Sequence, residues 1–304
     1  MPHYTMPDGE QLFVREYGQG EPILVLSGLG MQSWQWHPFL FAQRKNFKFI
    51  IPDWRGFGGS KNCKIPELDT ISSHWRDIEC LVNQLPVERI TVIAYSMGAT
   101  TTMHGLKYGN FASKIKHYLH IDQTPKISVD DDWQYGLYGK RHAEFLAVLE
   151  DISKVLAPNL STPFAQHLNR QDRQQLINAW LRFINLQNSN PYALSAFRFA
   201  YNQPLLQKLM LPSQSVAYLY WYIQNYLNHK EDYRDALADL VAPTTFFTGK
   251  QSILYSAQGQ NLIANRLANA EQVIFQKSGH TPLLTEPLKF KREISKFLRK
   301  SNTA

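Results

Sequence analysis

In the stretch ITVIAYSMGATTTM, residues 90–103, an apolar run (Ile90, Thr91, Val92, Ile93) gives way to small, helix-compatible residues at a serine, Ser96. β-Branched residues in such a run suit a buried strand. A strand that turns sharply into a helix at a serine presents the hydroxyl at the tip of the turn. The positions two before and two after, Ala94 and Gly98, are small, as the close strand–helix approach at such a turn requires. A serine hydroxyl is a poor nucleophile near neutral pH and needs a base within hydrogen-bond reach. An acid must in turn orient that base. With both partners, the chemistry is acyl transfer through a covalent intermediate on Ser96.

Candidates for both partners lie downstream. His280 follows the strand-like run AEQVIFQ through Lys-Ser-Gly, and Gly279 lets the loop swing an imidazole over a sheet edge. The other nine histidines fall mostly on helix faces or in strand interiors; His104, two turns into the helix after Ser96, is the alternative base. For the acid, no Asp or Glu occurs between Asp239 and Glu271. Asp122 ends the strand-like KIKHYLHID, 122 − 96 = 26 residues beyond the serine. Strands of a parallel sheet bring their carboxyl ends to one edge, where ligands bind.

The elements that must position these residues alternate. Strands are expected at QLFVREY (11–17), PILVLSG (22–28), from 47 in FKFIIPD, at 90–95, 114–122, PTTFFTG (243–249) and from 270. Helices are expected at TISSHWRDIECLVNQL (70–85), after Ser96, at SAQGQNLIANRLA (256–268) and after Pro287. In the first, Ile71, Trp75, Ile78, Leu81, Val82 and Leu85 recur at helical spacing. From about 128 to 240 strand-like runs vanish and aromatic-rich helical segments take over, such as QQLINAWLRFINL (174–186) and SVAYLYWYIQNYL (215–227). The pattern predicts an α/β fold: a mostly parallel sheet flanked by helices, formed by 1–127 and 241–304, with a helical cap inserted at 128–240.

The segments LVLSGLG, IPDWRGFGGS, VIAYSMGA and SGHTPLLTEP arrive in an order and spacing that resemble the α/β-hydrolase superfamily, over nearly the whole chain outside the cap. Within it the chain is similar to capped esterases and cofactor-free haloperoxidase-like hydrolases. The resemblance implies Ser96 as nucleophile and His280 as base, with Ala94 replacing the motif's usual first glycine. In the family's common pattern the acid lies three residues past the glycine of PTTFFTG, where this chain has Ser252. Some members instead carry it after the strand that follows the nucleophile, which here gives Asp122. An Asp122 that only caps the following loop is one other reading, and a Ser–His dyad with no acid is another. By the same resemblance the amides of Met97 and Leu29 form the oxyanion hole, although the turn reads Ser27-Gly28-Leu29 without the usual histidine. Trp34 and Trp36 follow this turn and Trp133, Tyr135 and Tyr138 open the cap. Trp34, Trp133 and Tyr138 are therefore the candidate substrate-pocket residues, against the plainer reading that such rings pack between elements.

Composition narrows the function classes. The 304 residues carry a net charge of +7, from 32 Lys and Arg against 25 Asp and Glu. Part of the excess is local: residues 289–300 hold six basic residues against one acidic, the pattern of a solvated helix face rather than of a nucleic-acid or membrane surface. Two cysteines, Cys63 and Cys80, build no disulfide framework or metal cluster. No signal peptide or ~18-residue apolar span is visible, so a cytoplasmic protein is expected. DWRGFGGS lacks the Lys-Ser/Thr of a phosphate loop; its glycines make a turn that Asp53 braces. The expected function is a serine hydrolase cleaving a carboxylic ester, thioester or lactone of a small apolar or aromatic acyl substrate, with no metal and no cofactor. A small-molecule substrate is the expected partner. One alternative is a cofactor-free, ring-cleaving dioxygenase of the hydroxyquinolone type. Those enzymes carry histidine beside the serine and Trp and His in the oxyanion loop, where this chain has Met97, Leu29 and Met31. Another is a non-catalytic ligand-binding scaffold.

Overall fold

The structure, a computed structural model, describes residues 2–187 and 214–303. Residues 188–213 of the expected cap lie outside the described residues.

The apolar runs form one eight-stranded sheet in the order β1-β2-β4-β3-β5-β6-β7-β8. These are β1 (His3–Thr5), β2 (Gln11–Gly18), β3 (Glu21–Leu26), β4 (Phe47–Pro52), β5 (Ile90–Tyr95), β6 (Ile115–Ile121), β7 (Thr244–Gly249) and β8 (Ala270–Phe275). β1 and β2 pair antiparallel, and from β4 to β8 every pairing is parallel. The central strands are near-continuous apolar runs because helices cover both faces; every residue of β5 and β7 is buried. The mostly parallel α/β architecture expected from the alternation is thus the one found.

Local chemistry sets the flanking helices. Thr70–Asn83 starts at Asp69, whose side chain accepts from the amides of Ile71 and Ser72, and buries Ile71, Trp75, Ile78, Leu81 and Val82 at the expected spacing. The loop after β4 is locked by charge. Arg55, almost fully buried, makes a bidentate pair with Asp77 at 2.7 Å and a second with Asp8 at 2.6 and 3.0 Å. Asp53 braces the same loop, accepting from the amides of Ser33 and Gly59.

The chain divides into two compact units, Met1–Gly139 with Lys230–Ala304, and Lys140–His229. The helical unit is thus narrower than the 128–240 read from composition. Residues 128–139 and 230–240 belong with the sheet because their backbone polar groups are satisfied there. Lys126 bridges Asp232, the Tyr233 amide donates to Pro125 O, and the Tyr138 amide donates to Leu254 O. In the second unit His142–Leu156 packs with Arg170–Gln187 and Val216–Asn228 through Phe145, Phe183 and Tyr226.

Two core histidines carry a pH consequence. His74 lies against the Trp54 ring at 4.4 Å, and burial followed by the Arg55 charge pushes its pKa down from 6.5 to about 3. His120 in β6 accepts from Tyr118 Oη at Nδ1 and donates from Nε2 to Gln123 O; burial pushes it down to about 4. Both are folded as neutral imidazoles. As pH falls below 6.5 the unfolded chain takes up protons that the folded chain refuses, so stability falls toward pH 4. The slope is about 1.4 kcal/mol per pH unit for each histidine. The urea midpoint should therefore drop steadily from pH 7 to pH 4.5. His120→Gln should flatten that slope; equal slopes would show that His120 is not buried neutral.

Candidate active site

Ser96 sits between β5 and the helix Met97–Tyr108 with φ 52° and ψ −119°, a strained backbone conformation for a residue with a side chain. The strain is held by packing and hydrogen bonds on both sides. The Ser96 amide donates to Ile121 O at 3.0 Å, while Ser96 O accepts from Ala99 and Thr100. The two small neighbours are not equivalent. A Cβ on Gly98 would fall 2.3 Å from Leu26 O, so only glycine fits there. Ala94 is fully buried in β5, which pairs with β3 and β6, so the alanine methyl is accommodated there.

His280 lies in the loop after β8, with Nε2 at 3.0 Å from Ser96 Oγ and Nδ1 at 2.8 Å from Asp122 Oδ2. Asp122 immediately follows β6 with φ 41°, a left-handed conformation that Asp tolerates better than most residues. Its amide still donates to Phe247 O on β7, so the turn leaves the sheet edge paired. The structure thus brings together the serine, the histidine and the acid of the earlier strand. Its carboxylate is fully buried and accepts from four donors. Oδ1 takes the Gly249 amide at 2.9 Å and Gln260 Nε2 at 3.0 Å. Oδ2 takes Ser252 Oγ at 2.8 Å besides His280. Ser252, at the position where the resemblance looked for an acid, thus donates to Asp122 one strand away. The alternative base has another partner: His104 Nδ1 bonds Tyr233 Oη.

Two rings clamp the imidazole. Tyr95 stacks on it at 5.2 Å and 29°, and its hydroxyl donates to His280 O at 3.0 Å. Tyr255 meets it edge-on, also at 5.2 Å. Burial, and then the Asp122 charge, raise the Tyr95 phenol well above its ordinary pKa, so it stays a donor. Sequence reasoning passed over Tyr95, although it is the one ring in its strand. Gln260 carried no signal among the neighbouring glutamines.

Met97 is the first residue of its helix, where amides lack intrahelical acceptors. Leu29 lies in a turn closed by the Met31 amide on Gly28 O. Gly28 approaches Ser96 so closely that an added Cβ would come within 3.3 Å of Ser96 Cβ. In place of the absent histidine, Ser27 anchors the turn: Trp36 Nε1 donates to its hydroxyl at 3.0 Å and Trp54 Nε1 to its carbonyl at 2.8 Å. Trp36 is accordingly buried. Trp34 is 56% exposed with its indole N–H on Gln32. Trp133 is buried, donates to Thr124 Oγ1 and lies under Arg234. Tyr138 is buried with φ 63°. Among the described residues no three His, Cys, Asp or Glu side chains are grouped to hold a metal, and no helix is long and apolar enough to cross a membrane.

Known proteins share this fold. The chain is similar to the pimeloyl-[acyl-carrier protein] methyl ester esterase of Vibrio atlanticus, 24% identical over 297 residues that cover 96% of this chain and 99% of that protein. Among solved structures, an esterase from Exiguobacterium antarcticum superposes with a TM-score of 0.71 at 20% identity, covering 98% of this chain and 99% of its own. A bromoperoxidase from Bacillus anthracis superposes with 0.65 at 16%, covering 95% of each. A family model described as the alpha/beta hydrolase fold matches residues 21–287, and the chain belongs to that family.

Proposed function

We propose that the protein is a carboxylic ester hydrolase that works through an acyl-enzyme on Ser96. The observation that carries this reading is the unbroken chain from Ser96 Oγ through His280 to the buried Asp122, at 3.0 and 2.8 Å, on a strained strand–helix turn. The esterase names of its relatives point the same way.

Ser96 Oγ attacks the acyl carbonyl carbon while His280 Nε2 takes the hydroxyl proton. Asp122 keeps the Nδ1–H tautomer and stabilises the imidazolium that forms. The amides of Met97 and Leu29 receive the oxyanion, each such donor contributing about 3 kcal/mol to the transition state. The C–O bond of the ester then breaks, the leaving alcohol takes the proton from His280, and the acyl group stays on Ser96. Water, deprotonated by the same imidazole, attacks the acyl-enzyme and releases the acid with Ser96 restored. Thioesters and lactones follow the same course, a lactone releasing a single hydroxy acid. Small apolar or aromatic acyl groups are the proposed class.

Intact mass after incubation with a fluorophosphonate tests the reading. One adduct per chain, mapped to Ser96, is expected, together with turnover of p-nitrophenyl acetate. A protein that takes no adduct and cleaves no ester would overturn it, and oxygen uptake with a hydroxyquinolone would then be measured.

A further inference from the structure

We propose that Ser252 and Gln260 are positioning residues, which hold the displaced acid Asp122 in the one pose from which it orients His280. The inference rests on the hydrolase reading above and concerns how the acid works from β6.

An acid on a different strand needs support of its own. Asp122 is the last link of the chain to Ser96, is fully buried, and has its backbone in a left-handed turn. A buried carboxylate without donors would take up a proton or swing away. Here each oxygen has an assigned task. Oδ1 faces the Gly249 amide and Gln260 Nε2, both fixed in the frame of β7 and the helix Ala257–Ala264. Oδ2 faces Ser252 Oγ and His280 Nδ1. The two oxygens cannot exchange places by a ring-like flip without breaking four bonds at once.

The orientation of Gln260 follows from its partners. Its nitrogen faces two acceptors, Asp122 Oδ1 and Tyr255 O, both at 3.0 Å, and its oxygen takes Thr248 Oγ1 at 3.1 Å. A reversed amide would set oxygen against oxygen at two contacts, so the side chain has one pose. Through Tyr255 the same residue reaches the imidazole a second way, since that ring packs on His280. Ser252 is fixed by the Tyr255 amide, which donates to its Oγ, and by its own amide on Gly249 O. Its hydroxyl hydrogen is then left for Asp122. Among the described residues, the titratable groups coupled to Asp122 are His280 by hydrogen bond and the Tyr95 phenol and His120 by charge; the last is held neutral.

A carboxylate with fewer donors holds positive charge on its neighbour more strongly, so removing either donor should move the acid limb of the kcat/KM profile to higher pH. The test uses p-nitrophenyl acetate as substrate and, without turnover, the low-field proton resonance of the His280 Nδ1–H in the resting protein. Ser252→Ala and Gln260→Met should raise the acid limb by about half a unit to one unit and broaden the resonance. They should also lower kcat roughly 10-fold with little change in KM. Ser252→Thr, which keeps the hydroxyl, should restore the parent profile. Folded variants whose limb and resonance superpose on the parent would overturn the proposal. Ser252 is only half-buried, so its alanine variant carries the test should Gln260→Met not fold. A parent that cleaves no ester would fail the hydrolase reading instead, and the resonance would still decide the roles of Ser252 and Gln260.

Discussion

Ser96→Ala is expected to lower kcat on p-nitrophenyl acetate by about 10⁶ and to abolish the fluorophosphonate adduct. Folding stability should hardly change. Alanine keeps the Cβ and meets the same backbone strain at φ 52°, and the lost Oγ contact is a single hydrogen bond to a part-buried imidazole. The loss is then one of chemistry and not of structure, which circular dichroism and the thermal midpoint would verify. A stricter form of the prediction concerns additivity. Residues that act as a unit are not additive, because the first removal already abolishes what the second contributes. Ser96→Ala combined with His280→Ala should therefore be no slower than Ser96→Ala alone, within about threefold. Two independent supporting roles would instead multiply, and that outcome would break the unit. Measurable residual hydrolysis in Ser96→Ala, His280→Ala and the double variant at one rate would report the oxyanion amides of Leu29 and Met97 acting with water.

Much of this arrangement is legible in the sequence, and the reasons are specific. The strand runs are long, apolar and β-branched, so β3, β5 and β7 declared themselves, and their parallel order followed from the helices between them. Ser96 was visible because its neighbours Ala94 and Gly98 are small; for Gly98 the structure locates the steric reason at Leu26 O. Asp122 emerged from the absence of any carboxylate after β7. The supporting residues were not legible. Gln260 is one of several glutamines near a helix start, and its role depends on β6, β7 and that helix meeting at one point. Tyr95 was hidden because a tyrosine in a buried strand ordinarily signals packing. The helical unit was overestimated at both ends because composition reports helix-rich texture. The boundary is set by where backbone groups are satisfied, as at the Lys126–Asp232 bridge.

Asp122→Asn should lower kcat by about 10⁴ while leaving KM within a few-fold, as tautomer loss does in a triad of this kind. The direction follows from the four donors. An asparagine amide must set its NH2 against one pair of these former donors. On the Oδ1 side it would face the Gly249 amide and Gln260 Nε2, donors that cannot turn into acceptors. On the Oδ2 side it would face the Ser252 hydroxyl, which can rotate to accept, and His280, whose Nδ1 can accept if the proton moves to Nε2. The protein therefore selects the second arrangement. Nε2 then donates to Ser96 Oγ and has no lone pair for the serine proton, so general-base catalysis stops while the binding surface is intact. Fluorophosphonate labelling, which also needs a deprotonated serine, should slow by a similar factor. A nitrogen-15 spectrum of His280 would show the proton on Nε2 in the variant and on Nδ1 in the parent. If Asp122→Asn labels as fast as the parent, the carboxylate has no part in activating Ser96, and the Ser–His pair works without it. If it slows with the proton still on Nδ1, the missing charge rather than the tautomer limits the reaction, because the imidazolium formed during attack then lacks its buried counter-ion.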